Sequence, residues 1–179
     1  MAESFTHRFD HECGTAFIMK HEAKMIKVVM NVIEQMEVDL IIELGTFRGG
    51  FTKYLEDRFP NAKIHTYDLH NQTASNRKYF GENVTFHIEN VLDKCPSLME
   101  LLARDDKKLL YCDNGKKRQE VQMYSWQLNS GDFIGTHDWK KEIFPKDVSD
   151  YLYNWKQFGW KTLKESGAST RFWKRPERK

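Results

Sequence analysis

Long apolar runs are missing from this chain, and the longest is broken by charge well short of the roughly 20 residues that a membrane-spanning helix needs. The N-terminus also lacks the apolar centre of a secretory signal, so the expectation is a cytoplasmic protein without membrane contact. Cysteine is scarce: Cys13, Cys95 and Cys112 are odd in number and show no C-x-x-C spacing, which argues against a disulfide framework or a zinc ribbon. An excess of either charge is nearly absent too, because 28 Lys and Arg against 26 Asp and Glu leave a net charge of only +2. Composition therefore gives no ground for a nucleic-acid-binding protein. Internal repeats, low-complexity blocks and domain linkers are likewise lacking.

What remains is a chain of 179 residues, 40% hydrophobic and 13% aromatic. A chain of that length is expected to fold as a single domain over residues 1–179 and to bury roughly 70% of the surface its unfolded form exposes. Residues 1–20 read as an irregular N-terminal arm, 22–175 as the core and 176–179 as a basic tail. The segment from Arg171 to Lys179 collects five basic residues against Glu177 alone, which suits either a solvated tail or a contact with phosphate.

Between these ends the pattern alternates. Apolar residues at helical spacing from His21 to Gln35 predict a helix, and Val38–Leu44 follows as a buried strand. Thr52–Phe59 reads as a short amphipathic helix that Pro60-Asn61 ends, and Lys63–Tyr67 and Val84–Ile88 read as strands. Ser97–Ala103 is a helix, Lys108–Cys112 a strand, Gln119–Leu128 a helix and Asp132–Thr136 a strand. Strands separated by helices need right-handed crossovers, hence an α/β fold with a mostly parallel sheet covered on both faces. Trp160–Lys164 and Thr170–Lys174 are strand-like and too close for a helical crossover, so they are expected to pair as an antiparallel hairpin. Residues 70–82 are irregular.

The most informative segment is Val38–Gly50, in which an apolar run stops at Glu43 and opens at once into a glycine-spaced turn, with Gly45, Gly49 and Gly50 in an E-x-G-x-x-x-G-G string. Glycines there let the backbone take positive φ and approach a ligand closely. Pyrophosphate would meet a like charge at Glu43, so a cationic or amine-bearing ligand suits the turn better. The other strands end in Asp68, Glu89-Asn90, Asp113 and His137-Asp138, and the carboxyl ends of parallel strands are where such sheets bind ligands. Asp68 lies where an acid can accept hydrogen bonds from both hydroxyls of an adenosine ribose.

With these residues the chain resembles the class I S-adenosylmethionine-dependent methyltransferases over about residues 22–175. More narrowly it is similar to cephalosporin-hydroxylase-like and catechol-type metal-dependent O-methyltransferases. The resemblance implies a Rossmann-like, doubly wound seven-stranded sheet in the order 3-2-1-4-5-7-6, closed by the C-terminal antiparallel hairpin. It implies that Gly45, Thr46 and Phe47, with Glu43 and Gly49 in the same motif, serve the methionine part of S-adenosylmethionine. Asp68 would hold the ribose, Glu89 or Asn90 would lie near adenine, and Asp113 beside the methyl group. In the metal-dependent branch Asp113, His137 and Asp138 would bind magnesium, although His137 stands where a carboxylate or amide is commoner and could instead be a base or favour another ion. Lys116 matches the lysine base of the catechol-type enzymes in spacing, while the Lys116-Lys117-Arg118 run also reads as a solvated helix start.

The function implied is methyl transfer to a hydroxyl of a small molecule. Methylation of nucleic acid rests only on the basic tail, and Asp-Asn-Gly-Lys at 113–116 lacks the Asn/Asp-Pro-Pro-aromatic motif of base-methylating enzymes. A binding module that keeps the cofactor site without catalysis is the non-enzymatic alternative. A nicotinamide-binding Rossmann domain would want a G-x-G-x-x-G turn, which is absent. A homodimer would let a neighbour's surface help to build the acceptor pocket.

Overall fold

The computed structural model describes residues 7–19, 21 and 23–177; Arg178 and Lys179 of the basic tail and residues 1–6 of the arm lie outside the described residues. Where an irregular arm was expected, β1 (His7–Asp10) and β2 (Ala16–Met19) form an antiparallel hairpin with His7 opposite Met19. Alternation explains it: Phe17 and Met19 are buried, and Ile18 between them is less so. The chain continues through α1 (Ala23–Glu34), β3 (Leu40–Leu44), α2 (Gly50–Arg58), β4 (Lys63–Asp68) and β5 (Val84–Ile88). Then come α3 (Pro96–Ala103), β6 (Lys108–Cys112), α4 (Lys117–Tyr124), β7 (Phe133–Thr136), α5 (Pro145–Val148), β8 (Lys156–Phe158), α6 (Trp160–Glu165) and β9 (Arg171–Lys174). None of the described helices is long and apolar enough to cross a membrane.

Seven strands form one sheet in the order β5-β4-β3-β6-β7-β9-β8. Numbered along the chain within that sheet, this is 3-2-1-4-5-7-6, as the resemblance implied. β3 to β7 pair in parallel, and β9 runs antiparallel to both β7 and β8. The partner of β9 is thus Lys156–Phe158, not Trp160–Lys164 as the strand-like run suggested. Residues Trp160–Glu165 form α6 instead, in which Leu163 alone is buried, against the face that α1 also covers, and Trp160 is exposed. Alternate strand residues feed two cores. Leu40, Ile42, Leu44 and Leu110 face α3 and α4, whereas Ile41, Ile64, Leu109 and Tyr111 face α1, α2 and α6.

The turn after β3 is built by protein packing. Gly45 has φ +110°, and a Cβ there would lie 2.7 Å from the backbone carbon of Asp113, so the β3 turn and the end of β6 touch main chain to main chain. Ile18 bridges to Gly49, and a Cβ on Gly50 would lie 2.5 Å from the Ile18 carbonyl oxygen. The glycines admit the N-terminal hairpin and the neighbouring strand end. Glu43 is fully buried beneath this turn, where its Oε2 accepts hydrogen bonds from the hydroxyls of Thr52 and Thr66, both at 2.6 Å. Burial pushes its carboxyl up to about 8 against the opposing pull of the two threonines. Glu43 therefore anchors the turn from inside, with its carboxyl turned to the two threonine hydroxyls.

Two measurements check this construction. Gly45→Ala should lower unfolding stability by roughly 2–4 kcal/mol in urea, because both the positive φ and the contact with backbone are lost. Gly14→Ala, at φ +81° with open space around it, should cost only about 1 kcal/mol. Glu43 carries a pH dependence as well: a carboxyl whose folded pKa is about 8 holds its proton while the unfolded chain has lost it above 4.5. Stability should fall by roughly 1.4 kcal/mol per pH unit from this group between those limits. Glu43→Gln should flatten the decline in melting temperature from pH 6 to pH 8, and an unchanged slope would contradict the assignment.

Candidate functional site

A cavity of about 280 Å³ opens at the carboxyl ends of β3, β6 and β7. Gly45, Thr46, Phe47, Asp68, Asp113, His137 and Asp138 all line it, so seven of the residues singled out in the sequence converge there. Glu43, Gly49, Glu89, Asn90 and Lys116 do not line it. In their place stand Met19 and His21 from the arm, Lys117 from the start of α4, and Glu142 from the turn after β7.

Asp113 is the centre of the arrangement. Its backbone N–H donates to the Leu44 carbonyl at 2.8 Å, which fixes the end of β6 beside the β3 turn. Oδ2 lies 2.8 Å from His21 Nε2, and Oδ1 lies 3.2 Å from His137 Nδ1. Burial alone would raise this carboxyl. The charge of His137, with His21 and the hydrogen bonds from both rings, instead holds it well below the ordinary carboxylate range.

The two imidazoles are 4.1 Å apart, centre to centre, and are driven in opposite directions. His21 is lowered, first by burial and then by the charge of His137, against the pull of Asp113. Burial opposes protonation of His137 as well, but its Nδ1 lies between Asp113 and Asp138 (3.3 Å to Oδ2), and the two carboxylates raise it to about 9. At neutral pH His137 is a cation and His21 is neutral. Because the Asp113 carboxylate only accepts, His21 Nε2 carries the hydrogen and its Nδ1 is left as an acceptor. Phe51 stacks on the His21 ring at 4.5 Å and fixes its plane.

Lys117 completes the cluster. Its side chain is only 4% exposed, and Nζ lies 2.8 Å from Glu142 Oε2, 3.1 Å from Asp138 Oδ2 and 3.6 Å from Asp113 Oδ1. Burial would lower this ammonium, yet the three carboxylates raise it above the ordinary lysine range. Burial raises the Asp138 carboxyl, but His137 and Lys117 bring it down to about 2. Asp138 itself takes φ +55°, a left-handed conformation that only a well-determined surrounding would hold. Lys116, the expected base, is exposed on the other side of the helix start.

Across the cavity, Asp68 accepts the Phe47 N–H at 2.7 Å and the His70 N–H at 2.9 Å, one on each oxygen. A carboxylate can accept about four hydrogen bonds, so each oxygen keeps capacity on the cavity side. Glu89 is taken up by Ser97, Cys95 and His87, and Asn90 by Asp93 and the Leu92 N–H, a hydrogen-bonded loop away from the cavity.

The magnesium site implied at Asp113, His137 and Asp138 meets a physical obstacle. Magnesium wants near-octahedral oxygen ligands. Here both Asp113 oxygens face imidazole nitrogens, and Asp138 Oδ2 faces His137 and Lys117. His21, Asp113 and His137 do bring two nitrogens and one oxygen within 4.8 Å of one another, but that donor set suits transition metals better than magnesium. The residues do not fit magnesium.

No protein-family model matches the chain. Solved structures do resemble it. Human N-acetylserotonin methyltransferase in complex with SAM superposes with a TM-score of 0.58 at 13% identity, over 86% of this chain and 52% of that one. A 1,6-didemethyltoxoflavin-N1-methyltransferase of Burkholderia thailandensis, with 1,6-didemethyltoxoflavin and S-adenosylhomocysteine bound, gives 0.56 at 14% identity, over 87% and 80%. CmcI, in a structure described with Mg and SAM, gives 0.53 at 19% identity, over 73% and 57%. The chain thus spans little more than half the length of the human protein and of CmcI. Its fold is that of the S-adenosylmethionine-dependent methyltransferases.

Proposed function

We propose that the protein transfers a methyl group from S-adenosylmethionine to a hydroxyl of a small molecule. The observation that carries this reading is the pairing, across one cavity, of Asp68 with the neutral His21 that Asp113 orients. The cavity walls also suit the cofactor: the four carboxylates of Asp68, Asp113, Asp138 and Glu142 outnumber the two cations, His137 and Lys117, so the lining stays net acidic for a sulfonium and an amine, and Phe47, Phe51 and Met19 give apolar contact. When bound there, S-adenosylmethionine would supply an electrophilic methyl carbon. The spare lone pairs of Asp68 would hold the ribose hydroxyls, and the turn from Gly45 to Phe47 would contact the methionine part.

His21 takes the role of general base in this reading. A hydroxyl must lose its proton as its oxygen attacks, and His21, which lines the cavity, would take that proton on Nδ1, with Asp113 stabilising the imidazolium that forms. Lys116 is too exposed for this task, and His137 already carries its proton. A neighbouring cavity of about 120 Å³ shares His21 and His137 with the first and is lined by Met25, Ile26 and Val29 on one side and Lys141, Ser169 and Thr170 on the other, which offers a mixed apolar and polar seat for the acceptor. The unpaired cysteines are in keeping with action in the cytoplasm. Magnesium has no part in the reading, because the expected ligands meet cations of the chain itself.

Isothermal titration with S-adenosylmethionine and S-adenosylhomocysteine should show saturable binding, weakened at least tenfold in Asp68→Ala. With an accepted phenol or sugar hydroxyl, His21→Gln should reduce turnover by about 10²-fold or more while cofactor affinity changes little. The wild-type rate should fall on the acid side only below the ordinary histidine range, since protonating His21 removes the base and its pKa is lowered. Binding without transfer to any acceptor would leave a non-catalytic module. No heat with either ligand, while NADH saturates the cavity, would overturn the reading altogether.

A further inference from the structure

We propose that Lys117 is an internal cation that occupies the place of a divalent ion between Asp113, Asp138 and Glu142, so that this rim needs no metal. The inference goes beyond the cofactor reading and stands or falls without it, because it concerns the charge balance of the rim alone. Three carboxylates from three separate places meet here: Asp113 follows β6, Asp138 follows β7, and Glu142 returns from the next turn. That return is built into the backbone. The N–H groups of Lys141 and Glu142 both donate to the Asp138 carbonyl at 2.9 Å, and the left-handed residues Asp138 and Lys140 curl the segment back towards α4.

The convergence point is filled by Nζ of Lys117, at 2.8, 3.1 and 3.6 Å from the three oxygens. An ammonium with three hydrogens is a compact charge whose donors can be shared among three acceptors. A divalent ion would have to bind within roughly 2.0–2.6 Å of the same oxygens and would lie in contact with the ammonium. Like charges at that range exclude one another. Lysine also fixes its cation covalently, so the charge between these three carboxylates is present at all metal concentrations. Deleting the side chain should leave an oxygen-rich vacancy of the kind that manganese and magnesium favour.

The test uses the full chain, stripped with EDTA and titrated with Mn²⁺, with free ion followed by electron paramagnetic resonance. Wild type should bind Mn²⁺ at this rim weakly or not at all, and EDTA should leave its melting temperature unchanged. Lys117→Ala should bind Mn²⁺ at least tenfold more tightly than wild type, and Mn²⁺ should raise its melting temperature. Both gains should vanish in Lys117→Ala/Asp138→Asn, and Lys117→Arg, which keeps a cation, should behave as wild type. The proposal is overturned if Lys117→Ala binds Mn²⁺ no more tightly than wild type, or if the gain survives the loss of Asp138. If Lys117→Ala does not fold by itself, failure of Mn²⁺ to restore folding overturns it equally.

Discussion

One carboxylate sets the conditions for the rest of the rim. Asp113 is 13% exposed at the end of a fully buried strand, and a charge in that position is tolerated only when paired and hydrogen-bonded. The chain meets that demand from three directions: His21 comes from the arm, His137 from the end of β7 and Lys117 from the first residue of α4. Each partner belongs to a different element, so satisfying Asp113 also ties the arm, the sheet and α4 together. The stabilisation and the site are one arrangement.

The same arrangement separates two histidines that would otherwise be alike. Rings 4.1 Å apart in a poorly solvated place are not readily both protonated, and the surrounding carboxylates decide which one is. His137 lies between two of them and takes the proton, whereas His21 touches only Asp113 and is more deeply buried. Pairs of titratable groups whose environments push them apart mark acid and base roles. Here the difference follows from position: one histidine extends a strand, and the other leads into a helix.

The parallel strands were legible because each is an apolar run that stops at an acid or its neighbour. Val84–Ile88 and Lys108–Cys112 coincide with the sequence reading, and the other strand limits shift by one or two residues. The rim acids Asp68, Asp113 and Asp138 were legible for the same reason. His21 was not, since it lies 92 residues from Asp113 in no motif, and only the folded arm brings it there. Lys117 was hidden inside a basic run. Its helical phase was nevertheless readable: Lys117, Val121 and Tyr124 share one face at i, i+4 and i+7, and all three are buried, whereas Lys116 falls outside that stripe. The C-terminal pairing was misplaced because Trp160–Lys164 buries only Leu163 and leaves Trp160 exposed, whereas the strand that pairs with β9 is the less apolar Lys156–Phe158. The glycines were recognised as a site of close approach, but the approaching group is the chain's own backbone.

That last point determines how the cavity is closed. Ile18 bridges to Gly49, and Gly50 leaves no room for a side chain against the Ile18 carbonyl, so the hairpin of β1 and β2 is packed directly on the turn that follows β3. Met19 and His21, the arm's contributions to the cavity, lie on either side of the single residue after that hairpin. A wall held by backbone contact at one end and by the His21–Asp113 hydrogen bond at the other has little freedom to swing away. His21 therefore reaches its position through folding, and in the proposed reading the ordering cost of placing a base there is met before any substrate arrives. A site assembled in this way depends on the arm as much as on the sheet, although the glycine motif and the strand-end acids that announce it belong to the sheet alone.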